Sequence, residues 1–182
     1  MRYNFSKKRY YMKIITLVLL LSLQLFASLN NIKSFDADFI QKITDDKNKV
    51  LTYKGHVIAS KPQDALWKYT SPVEKYVYIT RYEVTIVEPE IEQVIIRKVS
   101  NDFDFFKMIK NAEKIEKDIY KASYKDTIFT ISTKDNLITS ISYLDDFENK
   151  VNITFSNQEQ NIDIDKKLFR AKFPLDYDII RD

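Results

Sequence analysis

The chain has no cysteine, one glycine, one histidine and one tryptophan in 182 residues. Without cysteine there is no disulfide framework, no thiolate nucleophile and no thiolate metal site. A single glycine, Gly55, excludes both the phosphate-cradling loop and the dinucleotide fingerprint, and with them nucleotide-driven chemistry. Ser-His-Asp catalysis would have to use His56, and no G-x-S-x-G elbow accompanies it. As a metal ligand His56 would need several partners; its strand phase, opposite to Tyr53 and Val57, predicts an exposed imidazole instead. Glu88, Glu90 and Glu92 could be paired as acid and base for glycoside hydrolysis, but a cluster around Pro89 reads more simply as a hydrated turn. These absences leave no catalytic residue, no metal and no cofactor to assign, and favour a binding protein over an enzyme.

Hydrophobic residues make up 45% of the chain and aromatics 14%, enough for one domain with a sizeable core. The first 27 residues do not belong to that domain. Met1 to Lys13 is polar and basic, and Ile14 to Phe26 is an apolar run ending in small residues, Ala27-Ser28. The run is short of the ~20 residues needed to cross a bilayer, so the layout predicts a cleaved secretory signal peptide over 1–27, read from Met1 or Met12, and a mature domain over 28–182. Removing the leader leaves 24 Lys plus Arg against 26 Asp plus Glu, a balance of −2, and no electrostatic footprint for nucleic acid. No cysteine follows the leader, so the exported chain is expected to be free of a lipid anchor. No surplus apolar surface pattern is visible, which predicts a monomer.

Alternation of period two dominates the mature chain. Phe35, Ala37 and Phe39 alternate with Asp36 and Asp38; Leu51 to Ala59 repeats the pattern after the turn-like 44–48. Further strands are predicted over 65–69, 75–80, 83–88, 115–122, 127–133, 137–144 and 151–155, spaced as hairpins of an antiparallel meander. Two stretches break the rhythm. Asn30 to Ser34 reads as the end of a short helix. Asp102 to Ala112 reads as a helix with Ser100, Asn101 or Asp102 as N-cap, and with Phe105, Phe106, Ile109 and Ala112 on one face to bury against the sheet. The economical fold is mainly β (α+β), one curved meander sheet covered by one or two helices.

The stretch from Ser60 to Ile79 carries the tryptophan between two prolines. Strand phase from Tyr53 through Val57 and Ala59 arrives at Lys61, which puts a cation at the end of the apolar face, at a rim or on a surface turn. Trp67 and Tyr69 then re-enter the interior, where they either fill a solid core or line a hollow; periodicity alone leaves both open.

Phe35-x-Ala37-x-Phe39-x-Gln41, Gly55 followed by Lys61-Pro62, Trp67-x-Tyr69-x-x-Pro72, and Val87-Glu88-Pro89-Glu90-Ile91-Glu92-Gln93-Val94 together resemble the outer-membrane lipoprotein carrier protein family, LolA. The resemblance runs through the mature chain in order and is densest from Gly55 to Val94. It implies an unclosed antiparallel β-barrel with a helical lid over an apolar cavity, in a periplasmic chaperone that takes acylated lipoproteins from an inner-membrane ABC transporter to an outer-membrane receptor or membrane acceptor. On that reading Phe35, Phe39, Val57, Trp67, Tyr69, Val84 and Ile86 line the cavity; Phe105, Phe106 and Ile109 sit on the lid helix; Lys61 controls the lid at the rim. A carrier or sensor of another amphiphile, such as a glycolipid, is the alternative, because fold does not fix ligand. The sequence departs from the family pattern in three places. Lys61 stands where an arginine is usual, keeping the charge but not the planar five-donor fork. Ala65 stands where a bulky apolar residue is common, and Arg81-Tyr82 replaces an Asp-Gly turn.

Overall fold

The structure, a computed structural model, describes residues 29–98 and 104–181. The predicted leader and the N-cap candidates Ser100, Asn101 and Asp102 lie outside the described residues. A 3-10 turn at Leu29–Asn31 leads into β1 (Ser34–Thr44), β2 (Val50–Ser60), β3 (Asp64–Ser71), β4 (Lys75–Ile79), β5 (Glu83–Glu88) and β6 (Gln93–Lys98). The helix α1 (Phe105–Lys110) follows, then β7 (Glu113–Glu116), β8 (Ile119–Tyr124), β9 (Thr127–Lys134), β10 (Leu137–Leu144), β11 (Lys150–Gln160) and β12 (Asp178–Arg181). All of these strands join one sheet in the order β12-β6-β5-β4-β3-β2-β1-β11-β10-β9-β8-β7. The end strands β12 and β7 do not pair, so the curved sheet is an unclosed barrel, as expected.

Three expectations need correcting, and one strand is additional to those expected. The strand expected over 115–122 is two strands, β7 and β8, because the chain turns through Asp118, which holds φ 60°. Gln93–Lys98, with Val94, Ile95 and Ile96 between polar ends, is the additional strand. Ser34 opens β1 rather than closing a helix. The meander also contains one parallel pair, β12 against β6, with Asp178 opposite Gln93 and Arg181 opposite Ile96.

With one glycine available, the turns rely on other residues. Asn48, Asp118, Asp135, Asn136 and Asn161 take positive φ, as short polar side chains do most easily, and Glu92, Lys125 and Glu148 do so as well. Two hairpins share one device. Asp45 Oδ1 accepts from the Lys47 and Lys49 amides at 3.0 and 2.8 Å, and Asp145 Oδ1 accepts from those of Phe147 and Asn149 at 2.9 Å each. These Asx turns end β1 and β10 on a carboxylate that substitutes for a ladder partner.

Apolar side chains gather on both faces of the sheet. The inner cluster joins Phe35, Ala37, Phe39, Val57, Ile131, Ile141 and Ile153 to Phe106, Met108 and Ile109 of α1. The outer cluster joins Ile58, Leu66, Tyr78, Val87 and Val94 to Phe169, on a C-terminal segment that crosses the back of the sheet before adding β12. The face expected in water is therefore partly dry, and Leu66, between Ala65 and Trp67 in sequence, is 2% exposed. Where the outer face is wet, His56 sits between two carboxylates, with Nε2 2.8 Å from Asp36 and Nδ1 2.8 Å from Asp38. His56 and the Asn157 amide hold the Asp38 carboxyl below the usual carboxylate range. The imidazole faces away from the inner side of the sheet, as its strand phase requires, but it is half-buried between the two carboxylates rather than exposed as expected.

Candidate functional site: an apolar cavity under a short helix

Between the inner face of the sheet and α1 lies a cavity of about 370 Å³. One wall comes from β1 to β5, through Phe35, Val57, Ala59, Ala65, Trp67, Ile79 and Val84. The facing wall comes from β9 to β11, through Phe129, Ile141, Tyr143, Ile153 and Phe155, and Phe105, Phe106 and Met108 of α1 close the space. Its other polar lining residues, Gln63, Asp64, Thr80 and Arg81, belong to the ends of β3 and β4 and the turns beside them. Polarity is thus concentrated at one mouth. Away from that mouth the lining is aliphatic and aromatic apart from the Tyr143 hydroxyl, so the interior suits hydrocarbon rather than a polar ligand. The volume falls within the ~300–1,000 Å³ of ordinary small-ligand sites.

The rings stand edge to face. Phe35 meets Phe155 at 5.0 Å between centroids and 82°, closing the wall between β1 and β11. Phe39 meets Trp67 at 5.0 Å and Tyr69 at 5.1 Å. Rigid rings locked by one another leave a hollow that side-chain rotation does not fill.

Of the residues expected to line the cavity, Phe35, Val57, Trp67 and Val84 do so. Phe39, Tyr69 and Ile86 do not: Phe39 is 2% exposed and buttresses Trp67 from below, Tyr69 flanks it, and Ile86 lies one strand pleat beyond Val84. On α1, Phe105 and Phe106 line the space, while Ile109 is fully buried in the surrounding core. Sequence reasoning missed the entire β9 to β11 wall. The signal was present, since Phe129 and Ile131, Ile141 and Tyr143, and Ile153 and Phe155 each repeat at period two.

The helix owes its place to packing. Asp104 caps it, its side chain accepting from the Lys107 amide at 2.9 Å, and Lys107 and Lys110 suit its negative end. Six residues are far too few for an autonomous helix. Burial of Phe106, Met108 and Ile109, at about 1.5–3 kcal/mol each, holds it down. At its outer side Lys61 lines a cleft with Pro62, Asp104, Lys107 and Lys110, its Nζ 6.0 Å from the Phe106 ring centroid. Lys61 thus stands at the rim, in reach of the cover.

Tyr69 donates to Gln41 Oε1 at 3.1 Å, and burial, then the nearby Tyr143 and Tyr53 hydroxyls, push its phenol up to about 12. An unfolded tyrosine ionises near pH ~10. The preference for the neutral phenol is stability fully present below that value and lost as pH rises towards 12. Denaturation midpoints compared at about pH 9 and pH 11.5 should show a loss on the order of 2 kcal/mol from this group, and Tyr69→Phe should flatten the decline.

The cavity can be set beside known proteins. The family profile described as outer membrane lipoprotein carrier protein LolA matches residues 30–123. A protein named outer-membrane lipoprotein carrier protein from Campylobacter jejuni is 43% identical over 158 residues, covering 87% of this chain and 92% of that one. Another of that name, from Wolinella succinogenes, is 31% identical over 156 residues, covering 85% and 91%. The crystal structure of an uncharacterized conserved protein from Thermus thermophilus shares the fold, with a TM-score of 0.51 at 12% identity over 84% of this chain and 93% of that one. With its unclosed sheet, covered apolar cavity and these relatives, the chain belongs to the outer membrane lipoprotein carrier protein LolA family.

Proposed function

We propose that this protein is a periplasmic carrier that shelters the acyl chains of lipoproteins between its sheet and α1 while they move from the inner to the outer membrane. The observation that carries the reading is the covered hollow itself, walled by aromatic and aliphatic side chains with its polar residues, Tyr143 aside, gathered at its mouth. At ~0.8 kcal/mol per buried methylene, one long acyl chain removed from water is worth on the order of 10 kcal/mol, so an anchored lipoprotein does not cross an aqueous gap unaided. The hollow supplies the shelter. Its volume is at the lower end for a ligand site, so several acyl chains require α1 to swing outward, and a helix of six residues held only by side-chain burial is suited to that.

Residues 1–27 act as the export signal on this reading, and 28–182 form the carrier domain. The cavity side chains Phe35, Val57, Trp67 and Val84 touch the hydrocarbon, with Phe105 and Phe106 moving as the cover; Phe39, Tyr69, Ile86 and Ile109 shape the space from behind. Loading is driven by an inner-membrane ABC transporter and release by an outer-membrane receptor or by the membrane as the better acceptor, since the chain carries no nucleotide motif. It has no catalytic role.

The test is displacement of a bound fluorescent apolar probe. A lipidated peptide should displace it and its unlipidated twin should not; equal displacement by both, or by neither, would overturn the proposal. A glycolipid that outcompetes the lipidated peptide would shift the cargo to another amphiphile. Lys61→Leu removes an ammonium that faces Lys107 and Lys110 and adds an apolar side chain beside Phe106. It should slow probe release several-fold while leaving the unfolding midpoint nearly unchanged, since a half-buried charge at a rim contributes little to stability. Identical release rates would remove Lys61 from the mechanism.

A further inference from the structure

One side chain ties the back of the sheet to the mouth of the cavity. Lys166 opens the 3-10 turn Lys166–Phe169 on the C-terminal segment, where Asp165 caps by accepting from the Lys167 amide at 2.9 Å. Its ammonium donates to Ser60 Oγ at 3.1 Å, to Asp64 Oδ2 at 2.9 Å and to the Lys61 carbonyl. An ammonium has three N–H donors and no acceptor, so the whole donor set goes to the single turn between β2 and β3. That turn presents Lys61 to α1 on one side and Gln63 and Asp64 to the cavity mouth on the other. Three residues along, Phe169 is 3% exposed in the outer cluster, so the head on the rim has an anchored base.

We infer that Lys166 is a positioning residue. From behind the sheet it fixes the β2–β3 turn at the height where Lys61 meets α1 and Asp64 borders the mouth, and so sets how readily the cavity opens. Three acceptors converging on one cation define the position of a turn more closely than one exposed pair would. The Lys166 side chain is 52% exposed and that of Asp64 22%, so the cluster contributes little to global stability and its loss is felt locally. This inference rests on the proposed role of the cavity as the acyl site.

The test compares wild type with Lys166→Met, Asp64→Asn and the double variant. Trp67, the only tryptophan, lines the cavity and reports on it directly. In Lys166→Met the apolar probe should leave about threefold faster, with red-shifted Trp67 emission and an unchanged unfolding midpoint. The two substitutions should be non-additive in the release rate, because each breaks the same contact. Unchanged release and emission, or strictly additive rates, would overturn the inference. Amide exchange across 60–64, measured without ligand, stands apart from the carrier reading. Faster exchange in Lys166→Met supports the positioning role even if no acyl probe binds, and exchange equal to wild type overturns it. Failure of wild type to bind the probe counts against the proposed function alone.

Discussion

Replacing Gly55 by alanine should destabilise the protein by about 3 kcal/mol or more, because the added methyl meets atoms that have nowhere to go. A Cβ built there would lie 2.0 Å from the Lys68 carbonyl oxygen, 2.9 Å from its carbon and 2.9 Å from Phe39 Cε1. Two of these atoms are backbone of β3, at the point where the pairing of β2 with β3 shifts register between Lys54 and Gly55. The third is an edge of the ring that supports Trp67. Relief would therefore require either the strands to part or Phe39 to tilt into the cavity floor, and both disturb the site. Urea denaturation of Gly55→Ala should show a much lower midpoint together with altered Trp67 fluorescence. A loss below about 1 kcal/mol would mean that β3 does not approach β2 so closely.

Ala65→Trp should do the reverse, abolishing binding while sparing the fold. Ala65 sits opposite Ala59 on one side and Ile79 on the other, and all three line the cavity. A side chain of indole size at that point occupies the hollow instead of displacing packed atoms, so the expected change in stability is small or favourable. Affinity for the fluorescent apolar probe should fall tenfold or more, about 1.4 kcal/mol at least. Retained affinity with a normal unfolding midpoint would show that the probe sits elsewhere and that this cavity is not the acyl site. The two substitutions separate packing from occupancy.

The strands with strict alternation were legible because one face is dry and the other wet, as along Phe35 to Phe39. Legibility failed where both faces are dry. Ile58, Leu66 and Val87 pack beneath the C-terminal segment, and nothing in a local window distinguishes them from inward residues. The segment itself carries isolated apolar residues, Ile164, Phe169, Phe173 and Tyr177, without a period, since it crosses the sheet as an irregular strap. At the site, phase identified the inner face but not depth. Phe35 and Phe39 share that face, yet only Phe35 borders the hollow, because Gly55 leaves room for the Phe39 ring to sink against the sheet. Depth is set by a neighbouring strand, and no reading of one strand alone contains it.

The sheet is clad twice, by α1 within and by the C-terminal strap without, and the two layers share no cluster. A cover that lifts therefore strips only one side of its apolar surface. The backing layer covers β2 to β6 from behind, so on the proposed reading a lifted α1 would uncover only the inner side of those strands. A single-sided sheet that opened its face to admit hydrocarbon would risk unravelling with it; here β2 to β6 keep a second apolar layer behind them.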